Sequence, residues 1–313
     1  MRTPKALQRL SSLPFPYGAP TTPTTVEPRR DRKPVGAEYD TAWARRPAAR
    51  WARVVLLEGV LNPVVGGLAK PEHRGLDRLE ALAEADPVAP LIFAANHHSH
   101  IDSALILTSL PEPWRHRVFV GAAADYFFTN RMSSAASALA LNAIPIERTG
   151  ISRRSVGEAE ALLRDRWSLV LFPEGGRSPD GWGQPHKGGA AWLAERAGVA
   201  VVPIHIAGTG RILAKGDKRP KPGRSIVTFG APMRCDDATG EGAREFAVRI
   251  EQAIEALADE SNGDWYAARR RAHAGQTPSL AGPADASWRR VWALGDRKGR
   301  ASSTPKRRWP DLT

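Results

Sequence analysis

Between residues 90 and 232 the hydrophobic positions arrive in short, nearly unbroken runs: PLIFAAN (90–96), RVFVGAA (117–123), NAIPIER (142–148), SLVLFPE (168–174), VAVVPIHIA (199–207) and SIVTFGAP (225–232). Runs of this kind predict strands buried on both faces, because a half-exposed strand would alternate apolar with polar residues. The gaps at about 101–110, 127–140, 152–166, 187–197 and 241–259 carry helical spacing. Strands separated by helices predict an α/β fold, a mostly parallel central sheet covered by helices on both faces. No internal repeat interrupts the pattern.

Upstream, ARWARVVLLEGVLNPVVGGL (49–68) has the content of a helix lying on a membrane surface, interrupted at Pro63. Trp51, Val54, Val55, Leu57 and Leu61 would lie in the interface and Arg50 and Arg53 would face headgroups. A helix packed on the sheet is the competing reading. No window reaches the roughly 18 consecutive apolar residues of a spanning helix, and no secretory signal is expected, since the N-terminus lacks an apolar core.

Charge changes this picture. The 313-residue chain carries a net +12, but residues 1–53 hold +7 and residues 266–313 hold +8, leaving 54–265 at −3. Three regions follow: a basic Pro/Thr-rich extension (1–42), a central domain with its surface helix (43–265), and a basic tail (266–313). The flexible termini suit anionic headgroups, with Trp43, Trp51, Trp288, Trp292 and Trp309 as anchors, or they are simply solvated. Nucleic acid is a poor partner for a body of net negative charge with no cluster of stacking aromatics. A single cysteine, Cys235, excludes a disulfide framework and a cysteine zinc site.

Ligand chemistry in a parallel sheet gathers at the carboxyl ends of the strands, and the ionisable residues stand there. His97 follows the first run, Arg148 the third, and Glu174 and Arg177 the fourth. A histidine suits proton abstraction near neutral pH. Asp102, five residues on, falls in the first turn of the next helix and can fix the tautomer of His97 and stabilise its imidazolium. Ser99 and Asp102 also read as a helix cap, and both roles can coexist. Arg148 and Arg177 suit a phosphate clamp, with a Glu174 salt bridge as the structural alternative. Gly175 and Gly176 permit close backbone approach. Lys187, before a helix start, is a weaker phosphate or coenzyme candidate. A metal site built from His97, His98, His100 and Asp102 is disfavoured, because adjacent side chains in a turn diverge. His98, His100, His186 and His205 are assigned to packing or to the rim of the site.

These residues resemble the motifs of the glycerolipid acyltransferase family. Asn96, His97 and Asp102 match its Asn-His-x4-Asp block, IPIER with Arg148 its second block, and FPEGGRS (172–178) its Phe-Pro-Glu-Gly-Thr-Arg-Ser block. VVPIHIAG (201–208) matches its Val-Pro strand. Order and spacing agree over 90–210. Gly176 departs from the family's threonine, which puts the acceptor's identity in question. The resemblance implies a glycerol-3-phosphate acyltransferase-like fold and transfer of a fatty acyl group from acyl-CoA or acyl-carrier protein to a glycerophosphate hydroxyl. The expected acceptor is 1-acyl-glycerol 3-phosphate, giving phosphatidic acid. His97 would be the general base, Asp102 its partner, and Arg148, Glu174, Gly175, Arg177 and Lys187 the substrate contacts. No metal or cofactor is implied beyond the acyl thioester. The expected setting is the cytoplasmic face of a membrane, peripheral or monotopic. Another lysolipid or a glycolipid acceptor, a thioesterase or hydrolase using the same base, and a non-enzymatic basic membrane- or nucleic-acid-binding protein are the alternatives. The thioesterase lacks a G-x-S-x-G nucleophile.

Overall fold

The computed structural model describes residues 35–147, 153–236 and 242–282. Arg148, most of both basic termini, and Trp288, Trp292 and Trp309 lie outside the described residues.

All six apolar runs form strands: β2 (Leu91–Ala95), β3 (Val118–Ala123), β4 (Ala143–Ile146), β5 (Ser168–Leu171), β6 (Ala200–Ala207) and β7 (Ser225–Phe229). A seventh, β1 (Pro71–Arg74), completes the order β1-β7-β6-β2-β5-β3-β4. Strands β2 to β6 run parallel, β7 is antiparallel to β6, and β1 pairs parallel with β7. The sequence PEHR gave no sign of β1. It is a polar edge strand, held by its ladder to β7 rather than by burial.

Helices α1 (Pro47–Leu56) and α2 (Asn62–Ala69) are joined without a break by a π turn, Leu57–Leu61. The turn explains why Pro63 does not end the helix: the Asn62 N–H reaches back to Leu57 O, five residues away. Bonding is thereby shifted in the turn whose regular bond proline could not supply. The longer helices that follow are α3 (Asp77–Ala85), α4 (Asp102–Ser109), α5 (Arg131–Leu141), α6 (Arg153–Arg164), α7 (Gly189–Ala197), α8 (Ala243–Asn262) and α9 (Trp265–His273).

Alternation along the strands splits the core in two. Phe93, Ala95, Val120 and Ile204 face α2 and α4; Ile92, Ala94, Phe119 and Leu169 face α6, α7 and α8. The crossover β2–α4–β3 moves toward one edge of the sheet, and β5–α7–β6 moves toward the other. The order therefore reverses between β2 and β5, where a crevice opens at the strand ends.

Residues 35–42, assigned from sequence to the extension, contact the domain. Gly36 N–H donates to Phe128 O at 2.8 Å, and buried Thr41 donates to Glu158 at 2.8 Å. Residues 266–282, assigned to the tail, include α9 and a segment where Leu280 packs on the core and accepts from Gly183 N–H.

The apolar helix also differs from expectation. Pro47–Ala69 is 23 residues long, and by length and composition it is apolar enough to cross a membrane, with 22 % of its most apolar window buried. Yet Leu57 and Val65 pack into the core. Arg53, expected at the headgroups, is buried and donates to Ala44 O at 3.0 Å, and burial together with Arg50 and Arg45 lowers its pKa to about 10. The outward stripe is Trp51, Val55, Val60 and Val64.

Candidate active site

At the end of β2 the Asn96 carboxamide does the work of one more ladder step. It donates to Ile206 O at 2.9 Å and accepts from Ile206 N–H at 2.7 Å. An amide side chain carries a donor and an acceptor side by side, as a peptide unit does. The main chain is thus free to turn away at His97.

The turn is organised by Asp102, fully buried at the first position of α4. Its Oδ2 accepts three bonds, from His97 Nδ1 at 2.8 Å, His98 N–H at 2.8 Å and Ser99 N–H at 2.7 Å. The two amides fix the carboxylate and the carboxylate fixes the ring. An Nδ1 proton donated to a carboxylate leaves Nε2 as the imidazole's acceptor. The ring lies flat on Phe172, with centroids 4.0 Å apart and planes 20° apart.

The chain after β5 holds the His97 peptide from both sides. Glu174 Oε1 accepts His97 N–H at 2.9 Å, and Ser178 N–H donates to His97 O at 2.8 Å. The other Glu174 oxygen accepts Gln184 N–H at 3.1 Å. Burial pushes the Glu174 pKa up to about 7, against the pull of those two amides. Glu174 was expected at the acceptor. The structure places it behind His97, outside the cavity wall, with both oxygens occupied by backbone donors.

In front of His97 lies a cavity of about 880 Å³. His97, His100, Tyr126, Gly175, Arg177 and Lys187 form its polar end. From there it runs along the sheet face over Gly121, Ile146 and Leu171, beneath Val156 and Ala159 of α6, Leu193 of α7 and Ala247 of α8. The sequence did not single out this apolar wall, because each residue in it reads as ordinary core. The Arg177 guanidinium lies over the Tyr126 ring, 5.4 Å from its centroid. His100 stacks on the same ring and pairs with its hydroxyl at 3.0 Å; burial, then Arg177 and His97, lower its pKa to about 4. His98 is turned into the protein, and burial lowers its pKa. No group of three or more His, Cys, Asp or Glu among the described residues could hold a metal ion.

Gly175 adopts φ +67°, and a Cβ there would stand 2.7 Å from Lys187 Nζ. Gly175→Ala is expected to cost about 1–2 kcal/mol in backbone strain and to push the Lys187 ammonium out of its place. Chemical denaturation of Gly175→Ala in wild-type and Lys187→Ala backgrounds checks this: the strain should persist in both.

Residues 71–207 match the model of the Acyltransferase family, from β1 to the end of β6. A chloroplastic 1-acyl-sn-glycerol-3-phosphate acyltransferase of Brassica napus is 31 % identical over 172 residues, 51 % of this chain and 47 % of that protein. The alpha form of 1-acyl-sn-glycerol-3-phosphate acyltransferase from Mus musculus is 26 % identical over 170 residues, 54 % of this chain and 58 % of that protein. The chain therefore spans about half the length of these curated relatives. Among solved structures, the 1-acyl-sn-glycerophosphate acyltransferase PlsC of Thermotoga maritima superposes with a TM-score of 0.56. It is 23 % identical and covers 72 % of this chain and 86 % of its own.

Proposed function

Through residues 71–207 the chain belongs to the acyltransferase family, and from that premise we propose that it transfers a fatty acyl group from an acyl thioester to a hydroxyl of a glycerophosphate lipid. The proposed acceptor is 1-acyl-glycerol 3-phosphate and the product phosphatidic acid. The observation that carries the reading is the His97–Asp102 pair bordering a mostly apolar cavity of about 880 Å³.

In the proposed reaction His97 Nε2 takes the proton of the acceptor hydroxyl as its oxygen attacks the thioester carbonyl. The imidazolium then stands 2.8 Å from Asp102, whose negative charge stabilises it. Collapse of the tetrahedral intermediate breaks the carbon–sulfur bond, forms the ester, and returns the proton to the leaving thiolate. The hydroxyl is the nucleophile, so no protein nucleophile is needed, and no metal or redox cofactor takes part. The donor is acyl-CoA or acyl-carrier protein.

Arg177 and Lys187, together with Arg148, are proposed to take the acceptor's phosphate. The cavity volume falls within the range of ligand sites, and its apolar stretch suits an acyl chain. The enzyme is proposed to lie on a membrane, with Trp51, Val55, Val60 and Val64 in the interface. A helix docked along its inner face cannot also be surrounded by lipid, which favours a surface position over a spanning one. Cytoplasmic sidedness belongs to the same proposal.

A matrix of purified protein, labelled acyl-CoAs and acyl-carrier proteins, and acceptors with and without a phosphate, read by lipid mass spectrometry, tests this. Phosphatidic acid from 1-acyl-glycerol 3-phosphate is the expected product. Release of free fatty acid with no acylated acceptor would replace the transferase with a thioesterase.

A further inference from the structure

We propose that the loop joining β6 to β7 is a docking surface for anionic lipid headgroups, set beside the apolar stripe of α1 and α2. The proposal deepens the membrane reading above and rests on it. Residues 211–224, RILAKGDKRPKPGR, hold six basic residues against one acid, Asp217. This concentration was hidden in the near-neutral total of the central domain.

Arg211, Lys218, Arg219, Lys221 and Arg224 are exposed, and none is paired with a carboxylate among the described residues. Some exposed arginines elsewhere do have an acid beside them: Arg166 pairs with Asp86 and Arg196 with Glu160. Pro220 and Pro222 flank Lys221, where they hold the chain extended and withhold backbone donors, so the segment displays cations instead of joining the sheet.

The loop's position decides between a solvated surface and a docking one. Gly223 N–H donates to Leu68 O at 2.9 Å, and Ser225 Oγ to Ala69 O at 3.0 Å. Both bonds tie the loop to the end of α2, four or five residues beyond Val64, the last exposed valine of the stripe. On its other side Ser99 Oγ, in the His97–Asp102 turn, donates to Leu213 O at 2.7 Å. An apolar strip ending in a block of unpaired cations matches the layering of an anionic bilayer, acyl region beside headgroup charge. The same bonds connect that surface to the catalytic turn, so docking would bring His97 to the lipid.

The test uses the full chain carrying Lys218→Gln, Arg219→Gln and Lys221→Gln together. Flotation with vesicles of phosphatidylglycerol and phosphatidylcholine should show binding reduced by roughly five-fold per charge removed, about 100-fold in all. Binding to vesicles of phosphatidylcholine alone should be unchanged, since the valine stripe is intact. The difference should close at about 1 M salt, where screening acts within about 3 Å. Turnover of a short water-soluble acceptor should match wild type. Unchanged binding to the anionic vesicles overturns the proposal. So does lost turnover on the soluble acceptor by a folded variant, which would move the loop into the acceptor site. A protein that acylates nothing, yet loses anionic binding in the variant, would keep this surface and sink the transferase reading instead.

Discussion

His97→Ala is expected to lower acyl transfer by about 10²- to 10⁴-fold, the usual worth of a positioned general base, while leaving the fold intact. The ring is held by one bond to Asp102 and by stacking on Phe172, and it borders a cavity instead of filling core. Asp102 answers differently to different replacements. In Asp102→Asn the side-chain oxygen has reason to stay where Oδ2 now sits, because three donors converge there. The His97 tautomer is therefore kept, and the loss comes from the missing charge beside the imidazolium. Asp102→Ala would instead leave the His98 and Ser99 amides unpaired in a buried turn, at about 1–3 kcal/mol each. The expected order of residual activity is wild type, then Asn, then Ala, with stability falling mainly in the Ala variant. Steady-state kinetics beside denaturant unfolding separate the two effects. Wild-type turnover by purified His97→Ala protein would remove histidine from the mechanism.

That much of the site was legible because residue type and spacing carried it. A histidine at the end of an apolar run and an aspartate five residues later place themselves. So did β2 to β7, whose double burial writes itself as unbroken hydrophobicity. β1 was illegible for the opposite reason, since an edge strand of Pro, Glu, His and Arg owes its place to backbone pairing. α9 was lost in a segment read by its charge, although Arg271 there is fixed to Asp259 through two hydrogen bonds. The cationic loop was lost in the same way, because summing charge over two hundred residues erases where it sits. The continuity of α1 and α2 needed a π turn that Pro63 alone would not announce. Glu174 was the instructive case: beside Arg177 in sequence it looked like a ligand group. Only the fold reveals that backbone amides from residues 97 and 184 have taken both of its oxygens.

Glu174→Gln should therefore act through His97. A carboxamide has one acceptor oxygen where the carboxylate has two, so either His97 N–H or Gln184 N–H would meet an NH2 group. A buried amide left facing a donor costs about 1–3 kcal/mol, and here one of the two affected peptides is the one that carries the base. The expected result is a fall in kcat of roughly 5- to 150-fold with little change in the KM for acceptor. A large rise in KM at preserved kcat would return Glu174 to the acceptor site. The pH dependence of stability is an independent check. Burial raises the Glu174 pKa from the ordinary 4.5 to about 7, so between those values the native state holds a proton that the unfolded chain has released. Stability linked to this group is full below about pH 4.5 and is lost as pH rises through about 7, on the order of 3 kcal/mol in all. Unfolding free energies of wild type and Glu174→Gln, measured from pH 5 to 8, should diverge by most of that amount across the range, the Gln variant being flatter. Parallel profiles would mean that Glu174 is already ionised throughout, with the two amides outweighing burial.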